Sequence, residues 1–135
     1  MRKLNRAVLI ARIVGEILRY EFIFAVRGFR GVHVGLRRPI LPSVPNLALA
    51  TEICNTFDAV SILCWKEMVC LQRSVITARV LHSYGIPADV VIGYRFAPFA
   101  GHAWVEVNRV VVNDSQGYAE KLVVLERIGP ATSTA

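Results

Sequence analysis

The chain has 135 residues, enough for a single domain whose core needs no disulfide or metal support. It carries a net charge of +6 on a sequence that is 54% hydrophobic, with no RNA-binding signature and no basic stripe with interleaved aromatics, so no nucleic acid partner is expected. Cys54, Cys64 and Cys70 form no C-x-x-C pair, and His33, His82 and His102 lack paired ligand spacing; a disulfide framework and a structural zinc are excluded, and neither metal nor cofactor is expected.

The charge is concentrated at one end. Residues 1–38 hold nine Lys/Arg against Glu16 and Glu21, a balance of +7 that leaves −1 for the remainder. Leu4 to Val26 reads as one or two helices, and Arg12, Glu16, Arg19 and Glu21 interrupt it too often for a membrane span. The basic face is either simply solvated or a docking surface for an acidic leader or partner, and peripheral contact with a membrane surface stays open. The first residues lack the apolar run and small-residue cleavage site of a signal peptide, which points to a reducing, cytoplasmic location. Gly28, Gly31, Gly35, Pro39, Pro42 and Pro45 then read as a linker.

Leu47, Ala50, Cys54, Phe57, Val60 and Cys64 recur at three- or four-residue steps, the stripe of a helix packed on a core, with both cysteines filling it. A second helix is expected from near Cys70 to Tyr84, stopped by Gly85 with Pro87 just beyond, and apolar on more than one side. A cysteine at such a helix start lies at the positive end of the macrodipole, where free N–H groups favour a thiolate and can donate to an oxyanion. Periodicity does not fix that start, because no Pro or Gly separates Pro45 from Gly85. A helix continuing through Trp65 and Lys66 would leave Cys70 inert in mid-helix.

Strands follow at Asp89 to Tyr94, His102 to Val107, Val110 to Asn113 and Leu122 to Leu125, with a hairpin at Asn108 and Arg109. His102, Trp104 and Glu106 share one strand face. A clean two-residue turn would pair Val107 with Val110 and oppose Asp114 to Ala103, on the wrong face for His102; an odd loop or a bulge would return it. Glu106 is expected to be solvent-exposed. A thiol, an imidazole and a carboxylate in the order Cys70, His102, Asp114 are the raw material of a cysteine nucleophile, a base that takes its proton and a residue that orients the base. Read alone, each has a bland alternative: a buried thiol, a core histidine, a turn cap. Arg73 and Ser74, three and four residues after Cys70, and Trp104 beside His102 are candidate supports of the site.

The combination C-L-Q-R-S-x-x-T-A-R-V-L, G-I-P-A-D-V-V-I-G-Y, H-A-W-V-E-V and V-V-N-D, over roughly residues 46 to 125, resembles the lasso-peptide leader peptidases, transglutaminase-like cysteine proteases of ribosomal peptide maturation. The resemblance implies an α+β, papain-like or transglutaminase-like domain in which N-terminal helices precede a small antiparallel sheet. Cys70 would attack the peptide carbonyl, His102 relay protons and Asp114 orient His102. It further implies a precursor leader as substrate, a separate leader-binding recognition protein, and a lasso cyclase that receives the freed core peptide. The expected organisation is a basic helical segment and linker at 1–45, the protease core at 46–127 and a tail at 128–135, in the stand-alone version of the family. A transglutaminase-type acyl transferase and a non-catalytic scaffold of a maturation complex are the rival readings.

Overall fold

Asn5 opens the first helix as its N-cap, its side-chain oxygen accepting hydrogen bonds from the N–H groups of Ala7 (3.0 Å) and Val8 (3.3 Å). The computed structural model describes residues 5–36, 47–63, 70–96, 100–113 and 122–129, the side chains of 29–36 excepted. Three helices, α1 (Arg6–Leu36), α2 (Leu47–Ile62) and α3 (Cys70–Ser83), precede four strands, β1 (Ala88–Arg95), β2 (Ala100–Val107), β3 (Val110–Val111) and β4 (Val123–Ile128). The arrangement is α+β, as the sequence predicts.

In α1, Leu9, Ile13, Ile17 and Tyr20 recur at helical spacing and are buried in the main core. The expected linker from Gly28 is narrower than the sequence suggests. Gly28 takes φ 67° and kinks the helix, yet helix resumes beyond it to Leu36, because a residue without Cβ turns the chain without ending the element. Pro39, Pro42 and Pro45 lie outside the described residues. In α2, Ala50, Ile53, Cys54 and Phe57 are buried as the stripe requires, while Leu47 at its start is 41% exposed and Cys64 lies outside the described residues.

Helix α3 is the centre of the domain. Gln72, Ser74 to Ala78, Val80 and Leu81 are all buried, and α1, α2, β1 and β2 all pack against it. Its end is a Schellman motif: the Ile86 N–H donates to Leu81 O (3.0 Å) and the Gly85 N–H to His82 O (2.9 Å), with Gly85 at φ 76° and Ile86 and Leu81 both in the core. A polar seam joins α3 to α1. Arg79 pairs with Glu16 (2.8 Å), Gln72 donates to Glu21 (2.7 Å), and Arg12 donates to Ser83 O (3.0 Å) while lying over the Tyr84 ring. Three of the charged residues of the basic first third are thus committed to internal contacts; Arg6, Arg19 and Arg27 stay exposed.

The sheet order is β3-β2-β1-β4, antiparallel throughout. Ala88, Val90, Val105, Val107 and Ile128 face the helices in the main core. On the other face Val91 and Trp104 form a smaller core with Leu122. Strand β3 is shorter than predicted, two residues instead of four, and β4 runs on to Ile128 with a bulge opposite Ile92 and Gly93 that leaves Leu125 unmatched.

The two kinds of glycine give an expected contrast in stability. Gly85→Ala forces an L side chain into a left-handed turn and should destabilise by about 1–2 kcal/mol. Gly15→Ala, inside α1 with nothing within 4 Å of its added Cβ, should stabilise by about 0.5–1 kcal/mol. Urea midpoints at constant slope should move in opposite directions; a shared direction would contradict this account of either position.

Candidate active site

Cys70 is the first described residue of helix α3, and α2 ends at Ile62 with Leu63 in a turn, so the two are not one continuous helix. The Cys70 thiol is free and half-buried. Cys54 is the opposite case. Burial, aided by the nearby Asp58 carboxylate, pushes its thiol up to about 12, so it is a packing residue and a poor nucleophile.

Only Tyr84 to Pro87 separate α3 from β1, and the His82 Nε2–H donates to Ala88 O across that connection (2.7 Å). The helix therefore runs back over the sheet, its C-terminal end beside Ala88 and its partner Val107. Cys70 is the first described residue toward the other end of the helix, and at the far end of the sheet β1 finishes and β2 begins. His102, third residue of β2 and opposite Gly93, lies at that same end. Strand parity turns His102 to the face of the sheet that α3 does not cover, together with Trp104 and Glu106, as the alternation predicts. No hydrogen bond joins Cys70 to His102 among the described residues.

The indole of Trp104 lies near the His102 ring, centroids 6.1 Å apart and planes 25° from parallel. Trp104 is almost wholly buried, and its Nε1–H donates to Glu106 Oε2 at 2.9 Å. Glu106 is only 6% exposed, and this corrects the expectation of a solvated strand residue: the indole N–H and the Arg127 guanidinium (3.4 Å) supply the partners a buried carboxylate needs. On β1, directly opposite, burial raises the Asp89 carboxyl above its usual range, with Arg109 opposing and Glu106 adding to the rise.

The hairpin after β2 is the two-residue turn, Asn108 at φ 51° and Arg109 at φ 66°, with Val107 paired to Val110. A ladder continued from this register would oppose Asp114 to Ala103. It does not continue regularly. The Val105 N–H donates to the side-chain oxygen of Asn113 (2.8 Å), where an unbroken ladder would use the backbone carbonyl of Val112, and the chain bends at Val112 and Asn113. Asp114 itself lies outside the described residues.

Of the supporting candidates, Arg73 pairs with Asp58 of α2 at 2.5 Å, a half-exposed ion pair worth about 0–1 kcal/mol. Ser74 is fully buried, its hydroxyl without a hydrogen-bond partner among the described residues. Trp104 is the candidate that touches the imidazole. Sequence reasoning missed Gln72 and misjudged Glu106. Nothing in the apolar pattern of α3 singles out Gln72, whereas the i, i+2 spacing of Trp104 and Glu106 on one strand face was a usable signal for an indole–carboxylate bond. Burial lowers His82 below the ordinary imidazole range, and its ring serves the Ala88 carbonyl. No cluster of three or more metal-ligating side chains exists among the described residues.

Helices preceding a small antiparallel sheet give the domain an α+β arrangement. The family model for the transglutaminase-like superfamily matches residues 17–127, and the chain belongs to that family. It is also 44% identical over 59 residues to the microcin J25-processing protein McjB of Escherichia coli, a stretch covering 44% of this chain and 28% of the relative. The resemblance to lasso-peptide processing proteins read from the motifs is borne out by that match. No solved structure matches the chain.

The contrast between the thiols is measurable. Brief iodoacetamide treatment of the folded protein near pH 8 should carbamidomethylate Cys70 and leave Cys54 untouched, the two separated by peptide mass mapping. Modification of Cys54 at a comparable rate would contradict its buried, protonated state.

Proposed function

We propose that this chain is the cysteine peptidase that removes the leader from a lasso-peptide precursor. What supports the reading is the free, half-buried thiol of Cys70 on the buried helix α3, in a chain of the transglutaminase-like family with a processing protein as relative. In this mechanism the Cys70 thiolate adds to the scissile carbonyl and the backbone N–H of Cys70 donates to the oxyanion. His102 takes the thiol proton and returns it to the departing amine. Water, deprotonated by His102, then releases the leader from the acyl-enzyme. Asp114, in the resembling motif, holds the imidazole in its working tautomer.

A separate leader-binding protein presents the substrate, and a cyclase takes the core peptide with its new N-terminal amine. The setting is the cytoplasm; no helix among the described residues is long and apolar enough to cross a membrane. The proposed division keeps a basic helical segment at 1–45 before a protease core at 46–127, although Leu9, Ile13, Ile17 and Tyr20 of that segment pack in the core itself. The family assignment favours one second reading, acyl transfer to an amine by the same three residues; product mass separates ligation from hydrolysis.

Single-turnover cleavage of precursor, with the leader-binding partner present, tests the proposal. Cys70→Ala should abolish cleavage in a folded protein, and His102→Ala should lower it nearly as far. Asp114→Asn should lose less, because it acts through the geometry of the base. Cys54→Ala should still cleave, at a stability cost of about 1–2 kcal/mol for a small buried truncation. Cleavage that survives Cys70→Ala and is lost in folded Cys54→Ala would remove the nucleophile.

A further inference from the structure

Glu106 is a buried carboxylate that the mechanism above does not use. Replacing a buried charge and its partners by well-packed apolar groups is often neutral or stabilising, so stability alone does not account for it. Its partners show where its influence goes. Oε2 accepts the Trp104 indole N–H at 2.9 Å, Oε1 receives the Arg127 guanidinium at 3.4 Å, and the indole so anchored lies 6.1 Å from the His102 ring, 25° from parallel. The opposite side of the indole is fixed as well. A Cβ built at Gly93 would lie 2.7 Å from Trp104 Cη2 and 2.9 Å from Cζ3, so the ring occupies space that only a glycine leaves, and Gly93 is also the cross-strand partner of His102. One end of the indole is bonded, the other is fitted against a bare backbone, and the imidazole lies over the result.

We infer that Glu106 is a positioning residue for His102, acting through the Trp104 indole whose orientation it sets. Gly93 is the steric half of the same device. The indole face also suits the imidazolium that forms when His102 takes the thiol proton, since a cation within about 6 Å of an indole centroid is attracted by its quadrupole. The consequence for catalysis rests on the peptidase reading; the consequence for the imidazole does not.

The test therefore has two arms on the full chain, NMR of the His102 ring and the Trp104 indole N–H, and precursor cleavage with the leader-binding partner. Glu106→Leu and Gly93→Ala, acting on opposite ends of one ring, should each displace the His102 ring signals and lower kcat on the order of tenfold, with KM unchanged. Glu106→Gln, whose amide oxygen still accepts the indole N–H, should restore both the signals and kcat to within about twofold of wild type. Trp104→Phe keeps an aromatic ring and loses the donor, and it provides the same readout if Glu106→Leu does not fold. Unmoved His102 signals in folded Glu106→Leu or Trp104→Phe overturn the inference whatever the cleavage rate, as does failure of Glu106→Gln to restore them. Displaced His102 signals in a chain whose wild type cleaves no precursor uphold the positioning and sink the peptidase reading instead.

Discussion

The enclosure of α3 is the constraint on which the rest of the molecule depends. A helix with apolar groups on nearly every side cannot lie at a surface, and here α1 and α2 pack against it together with β1 and β2. The ends of such a helix are its natural points of access. The Schellman turn closes one of them, and Cys70, half-buried, is the first described residue toward the other. Burial of the helix and partial exposure of the thiol are thus two aspects of one packing arrangement.

Where the enclosing surface meets α3 it is partly polar, and the polar groups are matched. Glu16 and Arg79 are each 19% exposed and bonded to one another, and Arg12 satisfies a carbonyl that the helix end leaves over. These contacts fix the rotation of α1 about its axis, because a helix apolar around much of its circumference could otherwise bury several faces equally well. The outward side of α1 keeps that ambivalence on view, with Val14, Leu18, Phe22 and Val26 exposed. Among the described basic residues of α1, Arg12 helps to orient the helix, while Arg6, Arg19 and Arg27 stay exposed.

Most of the fold was legible in the sequence because its signals are local: the stripe Ala50, Cys54, Phe57, the stop at Gly85, and the alternation that separates His102 and Trp104 from Val105 and Val107. The sequence places the start of α3 near Cys70 without a strong breaker to fix it, and residues 64–69 lie outside the described residues. Gly28 misled for the complementary reason: a glycine permits a kink as readily as it permits a stop. Glu106 was misjudged because exposure was inferred from residue type, while its burial depends on an indole two residues away and an arginine on another strand. The fate of the ladder beyond Val111 also rests on a side chain, Asn113 substituting for backbone, which no strand propensity encodes.

The placement of β1 between β2 and β4 has a consequence for the order of assembly. Its pairing with β2 is a neighbouring hairpin that can close early, but its second edge waits for a strand that begins at Val123, and the fully buried Ile128 fills the helix-facing core beside Val90. During synthesis the thiol and imidazole therefore emerge well before the sheet that supports them is complete. The nascent chain passes through a stage with an open apolar strand edge, and docking of β4 is the step that ends it.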